Sequence, residues 1–148
     1  MATATLQDRR LGAWQAFLTA HAALVTGLEK ALAEEDLPPL SWYGILSALD
    51  RVGEEGARHR DLGCDSTISR SGMTRLLDRI EAAGLLERRA CSTDRRGTWV
   101  HITPAGREML ERMRPVYERE LDACFAGDFT EEEVETLSRL LARVAEAG

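Results

Sequence analysis

Two groups of side chains carry the chemistry most visible in this chain. Ser69, Arg70, Ser71, Thr74, Arg75 and Arg79 are spaced so that a helix presents them on the side opposite Met73, Leu76, Leu77, Ile80 and Ala83. Asp94, Arg95 and Arg96 sit inside a run of turn formers over residues 92–97. A guanidinium donates two parallel bonds to a planar acceptor pair such as a guanine edge, while Ser and Thr hydroxyls reach bases or phosphates. On that reading Arg75 is the leading base reader. Two adjacent arginines at the tip of a ribbon suit a narrow minor groove, where the negative potential is enhanced. Asp94 is a poor neighbour for a phosphate; its expected role is to accept bonds from the turn and from a nearby arginine, holding the loop in shape.

This is the chemistry of gripping a polyanion rather than of making or breaking bonds. No G-x-S-x-G elbow, H-E-x-x-H pair, Gly-rich phosphate loop or Cys-His arrangement can be assembled, so an enzyme is not expected. The three histidines (His21, His59, His101) form no ligand pattern with acids or thiols. The three cysteines (Cys64, Cys91, Cys124) lack CxxC or CxxH spacing. Neither a metal nor a cofactor nor a disulfide framework is expected.

Charge is localised. The chain is acidic, with net charge −6 and an isoelectric point near 5.1, yet between Arg58 and Arg107 ten arginines stand against six acids. A basic face on an acidic scaffold grips nucleic acid at one place and repels it elsewhere. An arginine-rich solvated surface would give the same count, so charge alone leaves both readings open. At 148 residues and 44% hydrophobic the chain is expected to form a single domain around one core. No apolar run approaches the roughly 18 residues of a membrane span, and the start MATATLQDRR lacks the order of a signal peptide, so a cytoplasmic protein with reduced thiols is expected.

The elements that must position these groups are legible from spacing. Leu11, Trp14, Phe17, Leu18, His21, Leu24, Val25, Leu28 and Leu32 predict one long helix over residues 7–35, ended by Pro38 and Pro39. Ser41 is the expected cap of a second helix with Trp42, Ile45, Leu46, Leu49 and Val52 inward, stopping between Gly53 and Gly56. A weaker segment over residues 59–65 is the candidate first helix of a turn motif. Ser69 then caps the arginine-bearing helix, and Gly84 stands where a left-handed terminal residue is wanted. Residues 85–89 and 98–102 read as two strands of a hairpin. Thr103 and Pro104 open a helix over residues 107–125, with an interruption expected at Pro115. Thr130 and Glu133 make a capping box for a last helix striped by Val134, Leu137, Leu140, Leu141 and Val144, with Phe129 and Val134 in hydrophobic-staple positions.

The expected fold class is therefore mainly α (α+β): a winged helix-turn-helix with a two-strand wing over residues 41–103, and N- and C-terminal dimerisation helices over residues 7–35 and 104–148. The terminal helices carry more apolar surface than a thin module should expose.

With those motifs in place the sequence resembles the MarR family of winged helix-turn-helix transcriptional regulators over residues 10–145. SRSGMTRLLDRIEAAGLLERR is similar to the family's recognition helix and first wing strand, and STDRRGTWVHITPAGRE to its wing signature. The segment DLGCDSTIS departs from the family pattern at Gly63 and Ser66, where relatives carry Ala and an apolar residue. The resemblance implies that Asp94 orients the wing, that Arg96 enters the minor groove, and that Ser69, Arg70, Ser71, Thr74 and Arg75 supply major-groove and phosphate contacts. It also implies a homodimer whose two recognition helices meet successive major grooves of a pseudo-palindromic double-stranded DNA operator, roughly 34 Å apart. By family analogy the protein is a repressor, released by a small aromatic or anionic effector.

Trp14, His21, Trp42 and Tyr43 are the weak candidates for lining an effector cavity, although aromatics at helical spacing more often fill a core. Two alternatives stay open. One is a winged-helix protein-interaction module that reads no DNA. The other is a thiol-based redox sensor, for which Cys91, following Arg88 and Arg89, is the best placed. Against the latter, peroxide-sensing relatives keep their cysteine in the first helix, and this chain has none there.

Overall fold

The computed structural model describes residues 4–62, 70–90, 97–125 and 127–147, with Arg70 defined by its backbone. Among these residues it contains five α-helices and a small antiparallel sheet of three strands, a mainly helical architecture. The chain divides into two compact units, Leu32–Val116 and the pair of segments Met1–Ala31 and Tyr117–Gly148.

The central unit holds the sheet and its core. Helix α2 (Leu40–Val52) begins directly after the two prolines, with Pro39 extended at its N-cap and no side chain capping it. Ser41 is thus inside the first turn rather than the cap. The prolines themselves fix an extended entry up to Leu40, and the Pro39 carbonyl accepts the first bond, from the Trp42 N–H at 2.9 Å. Ile45, Leu46 and Leu49 are buried as expected, whereas Val52 at the end of the helix is exposed.

After one 3-10 turn at Gly53–Glu55 the chain forms strand β1 (Ala57–Arg58), which the sequence pattern does not announce. Of the predicted helix over 59–65, residues 59–62 are a turn, closed by the Asp61 N–H on the Arg58 carbonyl at 2.9 Å; residues 63–65 lie outside the described residues. Strands β2 (Leu86–Ala90) and β3 (Thr98–Ile102) pair antiparallel from Leu86 opposite Ile102 to Ala90 opposite Thr98, and β1 adds to the far edge of β3.

The core joins α2, the sheet, helix α3 (Arg70–Ala82) and the start of helix α4 (Pro104–Cys124) through residues that include Leu46, Leu77, Ile80, Leu86, Val100 and Leu110. α4 runs unbroken through Pro115, contrary to the expected interruption. The ring removes one backbone donor, but Met113 and Val116 on either side are buried and hold the turn.

In the other unit, α1 (Leu6–Glu34) opens with a reciprocal cap. The Thr5 N–H donates to the Asp8 carboxylate at 2.9 Å and the Asp8 N–H to the Thr5 hydroxyl at 3.2 Å; the Thr5 hydroxyl and then its N–H, both donating to the carboxylate, lower the Asp8 pKa. Helix α5 (Glu131–Glu146) opens with the predicted capping box between Thr130 and Glu133, at 2.8 and 3.2 Å. Both helices leave apolar side chains exposed: Leu11, Trp14, Phe17 and Leu18 on α1, and Val134, Leu140, Leu141 and Val144 on α5.

Candidate nucleic-acid interface

Helix α3 is amphipathic in the sense that matters for display. Met73, Leu76, Leu77 and Ile80 are buried, each worth about 2 kcal/mol by area removed from water, and they fix which side faces out. Ser71, Thr74, Arg75, Asp78 and Arg79 are consequently exposed. Ala83, expected on the inner side, is exposed, because the helix has already ended at Ala82.

The stop is a Schellman arrangement. The Gly84 N–H bonds the Glu81 carbonyl at 2.8 Å and the Leu85 N–H bonds the Ile80 carbonyl at 3.2 Å, with Gly84 at φ +78°. Thr103 locks this end to the next helix: its hydroxyl donates to the Gly84 carbonyl at 2.6 Å and accepts the Gly106 N–H at 3.0 Å. Gly106 itself packs so closely that a Cβ there would lie 2.0 Å from the Leu85 carbonyl oxygen. Among the described residues, the buried side of α3 and the backbone packing at its far end set its position and rotation.

Electrostatics sharpens that display. Arg88 occupies the core-facing side of β2, opposite Val100, and reaches α3, donating from Nε to Glu81 at 3.0 Å and from a terminal nitrogen to Asp78. The bonds to Asp78 and then Glu81 raise the Arg88 pKa. Two acids on the helix are thereby neutralised by a strand. Among the described residues Arg75 and Arg79 have no ion-pair partner, so α3 shows net positive charge where its sequence alone is nearly balanced.

Other arginines of the basic segment are already occupied. Arg58 lies over the Trp99 ring at 5.2 Å, Arg89 pairs with Glu87, Arg60 approaches Asp61 at 3.8 Å, and Arg107 approaches Asp50 at 3.4 Å. The number of arginines in the segment thus overstates the charge available to a ligand.

Of the sequence-predicted site residues, α3 brings Ser71, Thr74, Arg75 and Arg79 onto one exposed side. Ser69, Asp94, Arg95 and Arg96 lie outside the described residues, as does the Arg70 side chain. Sequence reasoning misses two participants. Arg88 reads simply as strand, although its alternation with Leu86 puts it on the helix-facing side. His59, in the segment expected to be a weak helix, places Nε2 3.5 Å from the Thr74 hydroxyl.

The weak effector candidates divide between the two units. Trp14 and His21 lie on α1, where Phe17 stacks against both at 6.0 and 6.2 Å, while Trp42 and Tyr43 pack on the central core. Cys124 is exposed; Cys64 and Cys91 lie outside the described residues. No cluster of three or more metal-ligating side chains occurs among the described residues, and no helix among them is long and apolar enough to cross a membrane.

Comparison with known proteins agrees with this geometry. The family model described as MarR family matches residues 35–97, from the approach to α2 to just before β3. The HTH-type transcriptional regulator MhqR of Bacillus subtilis is 28% identical over 125 residues, covering 84% of this chain and 83% of the relative. AbsC, a MarR family transcriptional regulator from Streptomyces coelicolor, superposes with a TM-score of 0.83 at 28% identity over 99% of this chain and 97% of its own. Sco3205, a MarR family regulator from the same organism solved in complex with DNA, superposes at 0.86 over 99% and 91% of the two chains; at 24% identity this likeness speaks for the fold.

Proposed function

The chain belongs to the MarR family, and from that premise we propose that it is a transcriptional regulator that binds double-stranded DNA through the outward side of α3. One observation carries the reading: Arg88 neutralises Asp78 and Glu81, so that Arg75 and Arg79, without an ion-pair partner among the described residues, stand beside Ser71 and Thr74 on a helix whose axis is fixed from behind.

Such a helix enters the major groove with its N-terminal turns against base edges, Arg75 donating to guanine and the hydroxyls reaching bases or phosphates. Arg95 and Arg96 extend the contact to the adjacent minor groove, with Asp94 shaping their turn. Ser69 and Arg70 complete the set at the entry of α3.

A second copy of this chain covers the exposed apolar sides of α1 and α5, giving a homodimer with two recognition helices on a pseudo-palindromic operator. The acidic remainder of the chain keeps nonspecific DNA at a distance. The protein acts in the cytosol as a repressor, by occupying a promoter, and a small aromatic or anionic effector releases it. The relatives are regulators rather than enzymes, and no catalytic role is assigned.

The test is binding to a fluorescent duplex from the region upstream of its own gene, from about 50 to about 200 mM salt, with Arg75→Ala alongside. Saturable binding that weakens steeply with salt, and that the variant weakens by about 1–3 kcal/mol, is expected. An intact dimer that binds no duplex at any salt would overturn the DNA reading in favour of a protein-interaction module.

A further inference from the structure

We propose that Arg58, laid on the Trp99 indole, grips a backbone phosphate of the duplex between the groove met by α3 and the groove met by the hairpin; this rests on the DNA reading given above.

The geometry starts from the unanticipated strand β1. Its pairing with β3 places Ala57 opposite Val100, both buried in the core, and Arg58 opposite Trp99 on the face turned away from the core. The next residue ties β1 to two other elements. The His59 N–H donates to the Thr98 carbonyl at 3.2 Å, at the root of the hairpin, and its Nε2 lies 3.5 Å from the Thr74 hydroxyl on α3. β1 thus stands between the helix and the hairpin. A helix in the major groove and a hairpin in the adjacent minor groove straddle one sugar-phosphate backbone, so a cation carried between them meets phosphates rather than base edges.

What singles Arg58 out among the engaged arginines is the nature of its partner. Arg60, Arg88, Arg89 and Arg107 each face a carboxylate, which cancels charge. Arg58 lies over an indole, 5.2 Å from the ring centroid, and no carboxylate pairs with it among the described residues. A ring has no net charge, so the contact covers one face of the guanidinium and leaves its positive charge intact. The N–H groups lie in the guanidinium plane, and stacking therefore leaves free the planar fork that matches a phosphate. The stack also orders a long side chain before the duplex arrives, which lowers the cost of making the contact. On the other side of Trp99 stands Arg89, whose charge Glu87 takes up, so Arg58 is the uncompensated cation of that row across the sheet.

The experiment uses the full chain and the duplex from the region upstream of its gene, titrated from about 50 to about 200 mM salt with Arg58→Met, Arg58→Lys and Arg75→Ala. Arg58→Met keeps a long stem over the indole without the charge. It is expected to weaken binding about three- to tenfold on that duplex and on unrelated ones alike, and to flatten the slope of log K against log salt by about 0.9, so that its deficit shrinks about threefold across the range. Arg58→Lys keeps the slope and restores most of the affinity. Duplexes carrying one neutral methylphosphonate at each backbone position in turn locate the contact: the wild-type protein loses affinity at a position to which Arg58→Met is indifferent.

Arg58→Gln carries the same test if the methionine variant melts early. A wild-type slope and a wild-type methylphosphonate profile in the uncharged variant overturn the proposal, as does weakened binding that Arg58→Lys fails to restore, which marks a purely structural contact. Wild-type protein that binds no duplex overturns the DNA reading itself; binding that Arg75→Ala weakens and Arg58→Met does not overturns this inference alone.

Discussion

Replacing Arg88 by Met tests whether the strand-to-helix ion pairs prepare α3 for DNA. The side chain is 24% exposed and holds Glu81 at 3.0 Å and Asp78 with a second nitrogen, the two carboxylates being 39% and 55% exposed. Measured surface pairs contribute about 0.2–1 kcal/mol each, and the two made here by one arginine in a half-sheltered site belong near the top of that range, about 1–2 kcal/mol together after screening. For a chain of this length that corresponds to a fall in Tm of about 3–6 °C, read by circular dichroism.

The larger consequence is electrostatic. Without Arg88, Asp78 stands three residues from Arg75 and beside Arg79, within helical pairing distance, and draws those cations away from the duplex. Every phosphate that the protein no longer neutralises lowers the slope of log K against log salt by about 0.9, so the slope should flatten by about one to two and affinity fall several-fold on all sequences alike. Arg88→Lys keeps one charge without the fork and should lose the Tm while keeping most of the slope. Adding Asp78→Asn and Glu81→Gln to Arg88→Met should restore the slope without restoring the Tm. A wild-type slope in Arg88→Met, or no recovery in the triple variant, would refute the argument.

Other outcomes follow from the same geometry. Gly106→Ala places a methyl 2.0 Å from the Leu85 carbonyl oxygen and should lose about 3 kcal/mol or more, or fail to fold, whereas Gly84→Ala, with open space but φ +78°, should lose only about 1–2 kcal/mol in a urea titration. Leu141→Glu on the exposed stripe of α5 should shift the protein to monomer in sedimentation velocity and weaken duplex binding by about tenfold or more, as expected when one of two linked half-sites is lost. Arg75→Ala should cost about 1–3 kcal/mol mainly at one base pair, while Arg96→Ala should weaken binding to every duplex and lower the salt slope by about one; equal patterns would sink that division of labour.

Much of the scaffold is legible in the sequence because its signals are local. The apolar spacing of α1 locates its ends to within a residue, Thr130 and Glu133 announce their capping box, and Gly84 announces the left-handed stop of α3. What escapes is non-local. Ala57 and Arg58 are two residues without alternation, and only β3, some forty positions later, makes them a strand. Ser41 has the chemistry of a cap but follows two prolines that begin the helix without one. The electrostatic character of α3 is illegible for a related reason: counting its residues gives near neutrality, and Arg88, on another element, changes the balance.

The knot formed by Gly84, Thr103 and Gly106 bears on how such a protein changes its target. Among the described residues, what aims α3 lies on its buried side and at its C-terminal end, where backbone makes much of the contact. Arg75 and Arg79, without an ion-pair partner among the described residues, take no part in that aiming. Duplicated copies of the gene can therefore exchange those letters while the mount stays in register, acquiring new operators without first relearning how to fold. The same separation makes this helix a practical cassette for retargeting by design.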